Sequence, residues 1–156
     1  MATEEQKKAN MLRLAKLTLY GLTTGIWDLV GEGALGLSRL IGDEILPVLE
    51  KEMGLELTGE SLVDIVTEVG RLFVDEFGFA QGVEIETQGD RIIMKVRGCA
   101  NRKLSDDLRA AGMEKPFICP FLCVVGAVLD RMGQKAMSTI EKWEEGKGSI
   151  ITFELI

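Results

Sequence analysis

The sequence contains no histidine, and this absence excludes several kinds of active site before any pattern is considered. Ser-His-Asp and Cys-His nucleophile systems need an imidazole base, and many haem and metal sites need an imidazole ligand. Any catalytic or metal site in this chain must therefore use carboxylates, thiols or other side chains.

Basic side chains are scarce as well. Lys and Arg total 18 against 25 Asp and Glu, which gives a formal net charge of −7. Residues 1–80 carry 7 basic and 14 acidic side chains, and residues 81–156 carry 11 of each. Nucleic-acid binding depends on a surplus of positive charge at the contact surface. Because neither half has such a surplus, we expect no nucleic-acid partner.

Long uncharged apolar runs are also missing. The most apolar stretch, residues 17–49, contains five charged side chains, so we expect no membrane-spanning helix.

Residues 1–10 are polar and lack the apolar core of a secretory signal. Three cysteines, an odd number, are typical of a reducing compartment when no such signal is present. We expect a cytoplasmic location.

The length and composition predict one domain over residues 1–156. A chain of this length supports a single core, and 46% of its side chains are hydrophobic. Apolar residues recur at helical spacing over residues 4–19 and 22–53. Six glycines at residues 21–42, together with Pro47, interrupt this spacing, which predicts two or three helical pieces in the second stretch.

The clearest helical pattern covers residues 59–77, where one apolar face repeats every three to four positions. Thr58 is the predicted N-cap of this helix and Gly78 its terminator. Two further helices are predicted, a polar one near residues 105–111 and a strongly apolar one over residues 119–132.

Alternation of apolar and polar residues predicts four strands, which form two hairpins near residues 82–88, 91–97, 135–144 and 149–155. Helices and antiparallel hairpins then follow in the order α-α-α-β-β-α-α-β-β. This order predicts an α+β domain in which helices pack on one face of a four-stranded antiparallel sheet.

Three thiols are the most informative candidates for a site. Cys119 and Cys123 are four residues apart on the predicted apolar helix, and Cys119 lies at its N-terminus, where the dipole favours a thiolate. Cys99 follows the second strand and could reach the same region, so that the three thiols ligate zinc with a carboxylate or water. The alternative is that they are small buried hydrophobes, as most free cysteines are.

The glycine-rich region 17–49 predicts an interface between two copies. Gly21-x-x-x-Gly25 allows two helices to approach closely, and the region is more apolar than a four-stranded sheet can easily cover, so we expect a homodimer. The glycines could instead make room for a ligand beside Trp27 or bend the helix. Residues 31–36 match G-x-G-x-x-G, but no strand precedes them, as a dinucleotide site would require.

One segment resembles a known family. Residues 119–129 read Cys-Pro-Phe-Leu-Cys-Val-Val-Gly-Ala-Val-Leu, after a strand that ends Arg97-Gly98-Cys99 and before a closing hairpin with Gly148 and Phe153. Together these segments resemble the 4-vinyl reductase domain family, particularly its small stand-alone archaeal members. The resemblance covers residues 60–156 by motif and the whole chain by element order.

The resemblance implies a fold shared with transport-particle subunits and haem-NO-binding sensors. It also implies a pocket between helices and sheet for a small, largely apolar molecule. We predict that aromatic and apolar side chains from the first glycine-rich region, the long helix and the later elements line this pocket: Trp27, Val66, Val69, Phe73, Phe121 and Phe153. The alternative is that these side chains fill the core.

Sensor members of that family carry a zinc site with a Glu-x-x-Cys pattern and a further cysteine in the closing hairpin. Trp143 and Ile151 occupy the matching positions here, so this zinc site does not carry over. A site made by Cys99, Cys119 and Cys123 would be a different one, and zinc is the one cofactor that the sequence suggests.

The sequence therefore predicts a cytoplasmic domain that binds or senses a small apolar molecule without catalysis of its own. The alternatives are a reductase of a vinyl group on a tetrapyrrole-like substrate and a structural assembly subunit. A reductase needs an electron carrier, and the chain has neither a nucleotide fingerprint nor the four cysteines of an iron–sulfur cluster.

Overall fold

The computed structural model describes residues 1–156, and its elements follow the predicted order α-α-α-β-β-α-α-β-β. Five α-helices and four strands have the bounds α1 Glu4–Val30, α2 Leu37–Glu52, α3 Leu62–Arg71, β1 Gly82–Gln88, β2 Arg91–Arg97, α4 Arg102–Ala110, α5 Pro120–Arg131, β3 Ala136–Trp143 and β4 Gly148–Leu155. The α+β class is confirmed, and the observed strands differ from the predicted ones by at most one residue at either end.

The first helix is longer than predicted. It runs unbroken through Gly21 and Gly25, although each internal glycine costs about 1 kcal/mol relative to alanine. The helix ends before Gly31, whose φ of 55° is a conformation that glycine adopts without steric cost. A 3₁₀ turn, Gly31–Gly36, then leads into α2, which continues past Pro47.

The third helix begins three residues later than its predicted cap. Ser61, not Thr58, is the N-cap: its hydroxyl accepts a hydrogen bond from the Asp64 amide, and the Asp64 carboxylate accepts one from the Ser61 amide. Thr58 instead donates its backbone N–H and its hydroxyl to Glu68. After Arg71 the helix widens into a π-turn, Leu72–Glu76, shortly before Gly78.

The four strands form one antiparallel sheet in the order β1-β2-β4-β3. In β2 the side chains alternate between buried and partly exposed, with Ile92, Met94 and Val96 on the buried face. The central pair aligns Ile92 with Phe153 and Met94 with Ile151, so the apolar side chains of both strands meet on one face.

The helix α5 is the centre of the packing. Eight of its side chains are buried, and it contacts α2, α3 and β3. Arg39 pairs with Asp130, and Arg131 pairs with Glu50, so ion pairs join α2 to α5 near the C-terminal end of α5. This arrangement places the N-terminus of α5, with Cys119 as its N-cap residue, beside the end of the sheet.

The buried side chains divide into two clusters. The main core holds 22 residues from α2, α3, α5 and the sheet. A second cluster has only five buried members, which join α4 and the segment before α5 to the 3₁₀ turn: Ala34, Leu104, Leu108, Met113 and Phe117. No helix is both long enough and apolar enough to cross a membrane.

Candidate functional site

Five of the six residues predicted to line a ligand pocket belong to the main core. Val66, Val69, Phe73, Phe121 and Phe153 are each at most 3% exposed. The rings of Phe73 and Phe121 pack edge to face with centroids 4.8 Å apart. These side chains contact one another as core residues do, and Phe153 also borders a shallow groove beside Leu122 and Asp130.

The sixth predicted residue lies apart from the others. Trp27 is half-buried on α1 and packs against the second cluster, together with Tyr20 and Ile26. The structure therefore does not bring Trp27 to the side chains of α3 and β4. Sequence spacing could not have shown this, because both clusters present helical apolar faces.

The three cysteines lie around the N-terminus of α5. Cys99 follows β2, and its amide donates to the carbonyl of Lys147 in the β3–β4 turn (3.2 Å). Cys119 is the N-cap residue of α5, and Cys123 is fully buried one turn later. The Cys123 thiol donates to the carbonyl of Phe117 at 3.3 Å.

The sequence predicted a thiolate at Cys119, and this prediction is wrong. Burial raises the pKa of Cys119 to about 12, and the opposing hydrogen bonds from the backbone of Leu122 and Phe121 are too weak to offset it. Burial also raises the pKa of Cys123 to about 12 and, by a smaller amount, that of Cys99. The three thiols are neutral at pH 7, and the helix dipole does not overcome their desolvation.

The arrangement of possible metal ligands differs from the zinc interpretation. No three Cys, Asp or Glu side chains of the chain are grouped so that they could hold a metal ion. Cys119 interacts electrostatically with Cys99 and with Cys123, but the three thiols are not a ligand set.

A small cavity lies beside two of these thiols. Its volume is about 30 Å³, room for about two water molecules. Side chains of α4, the loop before α5 and the end of the sheet form its walls: Cys99, Asn101, Arg102, Leu104, Ser105, Leu108, Pro116, Ile118, Cys119, Pro120, Ile140, Gly148 and Ser149. The walls are mostly apolar, with the two thiols, two hydroxyls and an amide as the uncharged polar groups.

A charged network closes one side of the cavity. Arg102 donates from Nε to Asp106 Oδ2 (3.2 Å), from Nη1 to the carbonyl of Trp143 (3.3 Å) and from Nη2 to Glu144 Oε2 (2.9 Å). Lys142 forms ion pairs with both carboxylates. Burial opposes the ionisation of Asp106, but hydrogen bonds from Lys142 and Arg102 lower its pKa below the ordinary value. The network ties α4 to the β3–β4 hairpin.

A second arginine of α4, Arg109, is partly buried. Arg109 Nη1 donates to the carbonyl of Glu114 at 2.7 Å, while Nε and Nη2 are buried without a hydrogen-bond partner. Burial lowers the pKa of Arg109, and the guanidinium in turn lowers the pKa of Cys119 slightly. The helix α4 thus carries a guanidinium with two unpaired buried nitrogens on its inner side, and only two of its side chains, Leu104 and Leu108, are buried.

The sequence interpretation missed the contribution of α4 to this site. It predicted only a polar helix near residues 105–111 and assigned it no part in a site, whereas Arg102, Ser105 and Leu108 line the cavity. One signal was available: Leu104 and Leu108 are four residues apart in an otherwise charged segment, which is the spacing of a narrow buried face.

Comparison with known protein families gives a match over most of the chain. Residues 14–156 match the profile of a protein family described as "Putative rubredoxin C-terminal domain". No curated protein matches the chain. The family match does not bear on the resemblance to 4-vinyl reductase domains, which stays a prediction.

Proposed function

The chain belongs to the putative rubredoxin C-terminal domain family, and from that premise we propose that it is a binding domain for a small, largely apolar molecule. The observation that supports this function is the cavity at the N-terminus of α5, with apolar walls and a few polar groups that converge on it. The chain's role is binding, without catalysis of its own.

The redox chemistry in the family's name does not fit the residues of this chain. An iron centre ligated by sulfur takes four thiolates. The chain has three cysteines, all neutral at pH 7 and not arranged as a ligand set. We therefore propose that a sulfur-ligated iron centre associated with this domain takes its ligands from outside these 156 residues.

The cavity is too small to admit an organic ligand unless part of its wall moves. A volume of about 30 Å³ holds water but not an organic molecule with several carbon atoms. We propose that α4 acts as a cover that moves outward to admit the ligand. Its two buried side chains, Leu104 and Leu108, belong to the small second cluster, so the main core stays intact when α4 moves.

The polar groups indicate which part of the ligand faces inward. Asn101, Ser105 and Ser149 offer hydrogen bonds, while the neutral thiols of Cys99 and Cys119 act as polarisable contacts for an apolar or aromatic body. Arg102 is already engaged with Asp106 and Glu144, so an anionic group on the ligand would have to compete with both carboxylates.

Titration with benzene, followed by amide chemical shifts in ¹H–¹⁵N spectra, tests the proposal. We expect saturable shifts concentrated at cavity residues such as Leu108 and Cys119. Ser105→Met fills the cavity and should abolish them, whereas Lys103→Met, on the exposed side of the same helix, should leave them unchanged. Saturable shifts that persist in Ser105→Met, or no saturable shifts in the unaltered protein, would contradict the proposal. Native mass spectrometry of the purified protein then identifies any molecule retained from the cell.

A further inference from the structure

The helix α1 exposes an apolar stripe on the side that faces away from the domain. At 3.6 residues per turn, the packed side of α1 is marked by Tyr20, Thr23 and Trp27. The opposite side carries a continuous stripe of uncharged residues, whose large members are Met11, Leu14, Leu22 and Leu29 with 68, 65, 60 and 85% exposure. We call these four residues, with Ala15, Thr18, Gly21 and Gly25, the α1 stripe.

The area of this stripe is too large for an ordinary monomer surface. The α1 stripe and its flanking leucines, Leu17 and Leu19, expose on the order of 800 Å². That is about the area that each partner buries in a standard interface, and it exceeds the largest apolar patch of a typical monomer. The glycines leave the middle of the stripe open, since a Cβ placed on Gly21 or Gly25 would meet no atom within 4 Å.

We propose that a second copy of this chain covers the α1 stripe, with the two α1 helices antiparallel about a two-fold axis at Thr18. Seven of the eight stripe residues, all except Leu29, are placed symmetrically about Thr18, so this axis places residue i of one copy opposite residue 36 − i of the other. Met11 then faces Gly25, and Leu14 faces Leu22. Each large side chain of these pairs meets either a notch left by glycine or another leucine, so the stripe is self-complementary, as a two-fold interface requires.

Sedimentation velocity tests whether the stripe is the interface. We expect the unaltered protein to have twice the mass of the 17.1 kDa chain. Leu22→Glu buries a charge at the interface and should weaken dimerisation at least about 100-fold. Met137→Glu, a matched change at an exposed apolar residue of β3, should leave the dimer intact. Because Leu22 is exposed, Leu22→Glu should keep the circular dichroism and urea midpoint of a folded monomer.

Disulfide cross-linking tests the register in a Cys99→Ser background. A mixture of Met11→Cys and Gly25→Cys chains should form 11–25 cross-links, and each chain alone should form few. Cross-links between identical positions would show a parallel pair and overturn the register. An unaltered protein that is monomeric at micromolar concentration, or a dimer that survives Leu22→Glu, would overturn the interface itself. Neither result depends on the cavity, so this inference and the proposed binding function fail independently.

Discussion

The backbone of Gly42 on α2 lies directly against the carbonyl of Cys123 on α5: a Cβ on Gly42 would be 2.0 Å from that oxygen and 3.0 Å from the Ala127 Cβ. Only glycine fits where the two helices cross at this distance. The contact anchors α5, and therefore the thiols at its N-terminus, to the longest helix of the main core.

We predict that Gly42→Ala destabilises the protein by about 1–3 kcal/mol, because the added methyl group forces α2 and α5 apart. Gly126→Ala on α5 is the matched control. Its Cβ would meet no atom within 4 Å, so the change should stabilise the helix by up to about 1 kcal/mol. Urea unfolding measures both changes, and similar stability of the two variants would contradict the close crossing.

We predict that the protein loses stability between pH 9 and 12 through its buried thiols. The folded state holds the Cys123 proton up to a pKa of about 12, whereas the unfolded thiol titrates near its ordinary pKa of 9.0. Above pH 9 the unfolded state therefore binds fewer protons, and the free energy of unfolding falls by up to ~1.4 kcal/mol per pH unit for this thiol.

Cys123→Ser keeps a donor for the Phe117 carbonyl but does not titrate in this range. Urea unfolding at pH 8, 9, 10 and 11 should therefore give a flatter dependence for Cys123→Ser than for the unaltered protein. Equal slopes would mean that the Cys123 thiol ionises as easily in the folded state as in the unfolded one.

We predict that Arg102→Met loosens the cover formed by α4. The change removes the charge-assisted hydrogen bonds to Asp106, the Trp143 carbonyl and Glu144, of which the first and last also have a carboxylate as acceptor. Amide hydrogen exchange in α4 and the reaction of Cys119 with maleimide should each become about 5- to 30-fold faster.

Lys103→Met is the control for this experiment, since Lys103 forms only an exposed ion pair with Asp107 on the same helix. It should change neither rate by more than about twofold. If Arg102→Met also leaves both rates unchanged, the charged network does not hold α4 in place.

We predict that Phe121→Ala destabilises the protein by about 3–5 kcal/mol, as expected for removal of a core aromatic residue. Phe121 is fully buried and packs edge to face on Phe73. A ligand-lining residue would give a different result, because truncation would enlarge an existing pocket with little loss of stability. Thermal and urea unfolding distinguish the two roles.

Most helices and strands could be predicted from the spacing of apolar residues that are close in sequence. The period-two alternation around Ile92 and Met94 and the apolar run from Cys119 to Leu129 each depend on side chains close in sequence, so they predicted β2 and α5 closely. The predicted break near Gly21 was wrong, because a glycine only weakens a helix, whereas the positive φ at Gly31 ends it.

The sequence by itself determined the α+β class, the four strands and the exclusion of histidine chemistry, since these follow from composition and from the spacing of neighbouring residues. Tertiary structure alone decided the rest. Leu104 and Leu22 are both helical leucines, yet Leu104 is buried on the inner side of α4 and Leu22 is exposed on α1. The helix dipole favoured a thiolate at Cys119, but burial by distant segments removed the solvent that a charge needs. Burial and local dielectric depend on contacts between residues far apart in the sequence, so a local sequence pattern cannot predict them.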